Sequence, residues 1–106
     1  MKTAELTGAA LDWAVATANG DKIILAEEDW HWYSADWVYG GPLIESYRIT
    51  IQFDGDGIRC DLTTDDGAFF VGFDESSPLI AAMRCYVASR LGDEVELPSV
   101  VEKIGL

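Results

Sequence analysis

The most regular pattern in the chain runs from Tyr47 to Phe73. Tyr47, Ile49, Ile51 and Phe53 alternate with Arg48, Thr50 and Gln52, the two-residue period of a half-buried strand. Asp54-Gly55-Asp56-Gly57 then reads as a tight turn, because Asp and Gly tolerate positive φ. Ile58, Cys60 and Leu62 alternate with Arg59, Asp61 and Thr63, and a second turn, Thr64-Asp65-Asp66-Gly67, leads to Phe69, Val71 and Phe73. The pattern predicts a three-stranded antiparallel meander whose single apolar face carries these alternating residues. Phe70 would fall on the opposite face and need separate cover.

Two helical patterns flank the meander. Thr7 is placed to cap a helix over Gly8–Ala18, with Leu6 positioned to staple onto Leu11 and Gly20 just past the end. Leu11, Ala14, Val15 and Ala18 share one face and Trp13 points nearly opposite, so this helix is expected to be covered on two sides. Ser77 and Pro78 start a second helix that runs to Leu91 and stops at Gly92. Its broad stripe of Leu79, Ile80, Met83, Tyr86, Val87 and Leu91 is expected to lie on the sheet. Its small residues Ala81, Ala82, Cys85, Ala88 and Ser89 are expected to face the first helix. Lys22 to Ala26 reads as an edge strand, and Asp93 to Leu106 as extended chain with at most one helical turn. The predicted fold class is α+β: an N-terminal helix, an antiparallel three- to four-stranded meander sheet and a C-terminal helix packed on one sheet face. At 106 residues the chain is read as one domain, 1–106.

One segment fits neither period. Residues 30–42 hold three of the four tryptophans, two of the four tyrosines and the only histidine, and Gly40, Gly41 and Pro42 break the stretch off. Aromatics this dense outside a regular element either lid a core, around Phe70 or Trp13, or form a contact surface. As a surface, Trp30, Trp32, Tyr33, Trp37 and Tyr39 with Gly40 and Gly41 would supply large contact area at low entropic cost.

Charge narrows the partners. The chain carries 19 acids against 7 bases, a net charge of −12. It therefore lacks the cations that neutralise phosphate backbones, and direct nucleic-acid binding is not expected. The acids keep an apolar small domain soluble; alternatively they mimic nucleic acid toward a host protein that binds it. No run approaches the roughly 20 apolar residues of a membrane span. The Ala-rich run from Gly8 is interrupted by Asp12, so it is read as a helix of a cytoplasmic protein rather than a leader. Cys60 and Cys85 are expected as free, buried thiols. With one histidine, a His-rich zinc site is out. Asp54-Gly55-Asp56-Gly57 opens like a calcium loop, but Ile58 occupies a ligand position. No metal or cofactor is expected. His31 with Asp29 or Asp36 is the one acid–base pair the sequence offers, and it defines a small-enzyme alternative.

Three blocks carry a family resemblance. They are the opening Glu5-Leu6-Thr7-Gly8-Ala9-Ala10-Leu11-Asp12-Trp13; then Tyr33-Ser34 with Asp36-Trp37 and Gly40-Gly41-Pro42-Leu43-Ile44-Glu45; and Pro78-Leu79-Ile80-Ala81-Ala82-Met83-Arg84-Cys85-Tyr86 followed by Leu91-Gly92-Asp93. In this order they resemble the NinX-like small bacteriophage proteins, a family of unknown function. The resemblance implies a phage or prophage product made in the bacterial cytoplasm and implies no catalytic residues. The expected function is that of a non-enzymatic accessory protein binding a protein partner, or a second copy of itself, through the aromatic segment.

Overall fold

The computed structural model describes residues 1–20 and 32–98. A 3₁₀ turn (Thr3–Glu5) leads into α1 (Gly8–Ala18). Then come α2 (Trp37–Ser46), β1 (Thr50–Asp54), β2 (Gly57–Thr63), β3 (Phe69–Asp74) and α3 (Pro78–Leu91). The fold is α+β, as the periodicity predicts. The strands form an antiparallel sheet in the order β1-β2-β3, with α3 packed on β2 and β3. The expected strand at Lys22–Ala26, together with Trp30, His31 and residues 99–106, lies outside the described residues.

α3 is the centre of the molecule. Ser77 caps it, its Oγ accepting from Ile80 N at 3.1 Å, and Pro78 fills the first turn where its missing N–H costs nothing. Leu79 and every residue from Ala81 to Val87 are buried, because the sheet lies on one side and α1, α2 and the 3₁₀ turn lie on the others.

The expected assignment of its faces is corrected by the structure. Ala81 and Cys85, from the small stripe, face the sheet at Gly72: a Cβ there would sit 2.1 Å from Ala81 O and 2.5 Å from Cys85 N. From the large stripe, Leu79 reaches α2 at Gly40, and Tyr86 packs on Tyr47 with ring centroids 4.9 Å apart. Glycine in the strand and small residues on the helix let the two backbones approach closely, which large side chains at the contact would prevent.

The same contact sets the face of β3. Ile58, Cys60 and Leu62 are buried and pair with Asp74, Gly72 and Phe70. Phe70 is therefore on the core side, partly buried. Phe69, Val71 and Phe73, expected inside, are the exposed row. Phe53 is on the predicted face but is 71% exposed, since α3 covers β2 and β3 rather than the far strand.

Two polar devices lock the layers. Arg84 is buried on α3; its Nε donates to Leu6 O at 2.9 Å and its Nη1 to Phe73 O at 2.7 Å and Asp74 Oδ1 at 3.2 Å. One guanidinium thus ties the entry to α1, the end of β3 and α3 together. The chain start is zipped to the segment after α3: Met1 N donates to Val95 O, Val95 N to Met1 O, and Thr3 N to Asp93 O. Cys60 and Cys85 are free and buried.

Candidate functional site

The aromatic segment is more regular than its sequence suggests. Gly40, Gly41 and Pro42 do not end it; they lie inside α2. Asp36 starts that helix, its Oδ1 accepting from Val38 N at 2.9 Å, a carboxylate N-cap. Pro42 is the sixth residue and removes one ladder donor, yet the helix continues to Ser46. It continues because tertiary contacts hold it. Gly40 lies against Tyr33 O and the Leu79 side chain, so close that a Cβ would fall 2.4 and 2.5 Å from them. Gly41 leaves room beside the Trp37 ring, which would lie 3.8 Å from a Cβ placed there.

The turn before α2 is anchored from below. Ala35 N and Asp36 N both donate to Trp32 O, and Ser34 N donates to Asp12 Oδ1 at 2.8 Å. Asp12 is buried on α1. Its carboxylate grips the turn and fixes the angle at which the segment leaves the core. Tyr33 is buried beneath, edge-on to Tyr39 with centroids 6.2 Å apart.

The segment therefore splits into anchors and a surface. Tyr33, Ser34, Gly40 and Leu43 face inward. Trp32 is 47% exposed, Trp37 52%, Val38 73% and Tyr39 37%. Of the seven residues nominated from sequence, Trp32, Trp37 and Tyr39 reach solvent, Gly41 is half-buried, Tyr33 and Gly40 are buried, and Trp30 lies outside the described residues. Val38 and Asp12 were not nominated. Val38 could have been found by reading Asp36 as a cap and phasing the helix from it. Asp12 could have been found as the one charge inside an otherwise apolar helix.

A family model described as Bacteriophage P22, NinX matches residues 2–90. The chain belongs to the NinX family. That match spans α1, α2, the sheet and nearly all of α3, so the turn, cap and aromatic surface all fall within the NinX region. Comparison with curated proteins gave no match. Family membership makes the chain a phage accessory protein.

Among the described residues no three His, Cys, Asp or Glu side chains are grouped to hold a metal ion. The two thiols are poor nucleophiles: burial, reinforced by the nearby Asp61 carboxylate, pushes Cys60 up to about 11. Burial, with Cys60 and Asp61 beside it, pushes Cys85 up to about 12. His31, the proposed base of the small-enzyme alternative, lies outside the described residues. No described helix is long and apolar enough to cross a membrane.

Proposed function

We propose that this NinX-family chain acts by binding another protein, without catalysis, and that Trp32, Trp37, Val38 and Tyr39 form the contact. The observation that carries this reading is the division of labour in one short segment. Two indoles and a valine stand about half or more exposed, while their neighbours Tyr33, Ser34 and Gly40 are buried and hydrogen-bonded or packed against α1 and α3. Exposed aromatics on a rigid, pre-ordered support lose little entropy on binding.

Charge selects the kind of partner. A second copy would bring −12 against −12, which opposes association. The favoured partner is a protein with an apolar pocket inside a basic rim, and its on-rate should fall with added salt.

The experiment is capture from phage-infected cells by the wild-type chain and by a Trp32→Ser/Trp37→Ser double variant. The variant should keep the wild-type circular dichroism spectrum and its urea midpoint within about 0.5 M, because exposed sites contribute little to folding, and it should lose the captured partner. A variant that unfolds would show the rings to be part of the core. A folded variant that retains the partner would place the contact elsewhere.

A further inference from the structure

A cleft shares none of its lining residues with the aromatic surface. It measures about 630 Å³ and opens where the end of α2, the end of β2 and the last turn of α3 meet, within the size range of small-molecule sites. Two of the chain's seven bases, Arg48 and Arg90, line it. In a chain with 19 acids, neither forms an ion pair among the described residues; the ion pair found there joins Arg84 to Asp74.

Arg48 holds an unusual backbone. Its N–H donates to Glu45 O at 3.3 Å and the next N–H, of Ile49, donates to Ile44 O at 3.0 Å. This is the paired closure that ends many helices, and its left-handed residue is usually glycine. Here that residue is arginine, at φ 52°. A side chain raises the energy of that conformation and glycine would not. The closure sets Arg48, an exposed residue, among those that line the cleft. Arg90 is oriented as well: its guanidinium carbon lies 5.7 Å over the Tyr47 ring, and Tyr47 itself rests on buried Tyr86. Ser46 and Thr63 are among the residues that line the same cleft.

We propose that this cleft binds a small phosphate monoester, with its phosphoryl oxygens taken by the Arg48 and Arg90 guanidiniums. Two planar forks suit a dianionic tetrahedral group, whereas one carboxylate is satisfied by a single fork. Asp65 also lines the cleft. It repels a bare anion and accepts from a donor, so the organic part of the ligand carries hydroxyl groups.

The test titrates the full chain with ribose 5-phosphate, inorganic phosphate and ribose, following the Arg48 and Arg90 side-chain Nε–H and Tyr47 amide signals by NMR. Ribose 5-phosphate should shift them saturably at concentrations up to about 10 mM, inorganic phosphate should bind more weakly, and ribose should not bind. Arg90→Gln should weaken ribose 5-phosphate about tenfold. Arg48→Gly keeps the backbone closure, so it should raise the Tm while weakening the same ligand about tenfold. No saturable shift with ribose 5-phosphate, equal binding of the two phosphates, or unchanged affinity in both variants would each overturn the assignment.

Discussion

Substituting Gly72→Ala asks how closely α3 lies on the sheet. The added Cβ would meet Ala81 O at 2.1 Å, Cys85 N at 2.5 Å and Cys85 Cβ at 2.9 Å. The first two are backbone atoms, so no rotamer change relieves the clash and α3 must retreat by about 1 Å. A gap of that size forfeits roughly a quarter to a half of each dispersion contact it interrupts. The layer it opens contains Cys60, Leu62, Ala81 and Cys85, all buried. We expect a loss of about 3 kcal/mol or more, the upper end for overpacking, against a total stability of about 5–15 kcal/mol. Urea unfolding followed by tryptophan fluorescence and circular dichroism should show the midpoint falling by about 1–2 M. Gly55→Ala is the control: nothing lies within 4 Å of its added Cβ, and its midpoint should barely move. Cys85→Ala should not rescue Gly72→Ala, because the closest contacts are to backbone. If Gly72→Ala unfolds within about 0.3 M of wild type, where an effect below 1 kcal/mol would lie, the close helix–sheet approach is refuted.

Arg84→Met keeps the aliphatic stem but leaves the carbonyls of Leu6 and Phe73 without their guanidinium donor. It should cost about 2–4 kcal/mol in the same urea assay, and a cost under 1 kcal/mol would show that water or neighbours replace the donor. Cys60 and Cys85 should resist a thiol reagent at pH 8 in the native state and react once urea unfolds the chain. Their folded values of about 11 and 12 lie above the ordinary thiol value of 9.0. Their contribution to stability is therefore complete below pH 9 and is lost as pH rises through 11 and 12. A Cys60→Ala/Cys85→Ala variant should lose less stability over that window than wild type; an equal loss would assign the alkaline transition to other groups.

Much of this architecture was legible because the strongest signals were local. Alternation over Tyr47–Leu62, the Asp-Gly turns, the Ser77-Pro78 start and the Gly92 stop each follow from backbone chemistry within a few residues. What stayed hidden was set by contacts distant in sequence. Phe69-Phe70-Val71-Gly72-Phe73 is apolar on both faces, so alternation alone favours the bulkier set. The deciding fact is the fit of Gly72 against Ala81 and Cys85, which a glycine in mid-strand and small residues on the helix signal only when taken together. α2 was obscured for the same reason. Gly40, Gly41 and Pro42 are poor helix formers, and the segment is helical because Asp36 caps it and Tyr33 and Leu79 close over Gly40. The division of the aromatic segment into anchors and surface likewise depends on Asp12, more than twenty residues away from Ser34. The Arg48–Arg90 cleft has no sequence motif: its two arginines are brought together by a helix end and a helix last turn.

The row of Phe69, Val71 and Phe73 has a consequence for handling the protein. Among the described residues β3 is an outer strand, and it presents three large apolar side chains to water. Such a margin is a natural seed for stacking one molecule on the next. Mutual repulsion among highly anionic molecules is the safeguard, and it dwindles as the medium approaches the isoelectric point near 4.1 or as added electrolyte shortens its range. Acidity and ionic strength, more than the integrity of the fold, then govern how concentrated a clear solution can become.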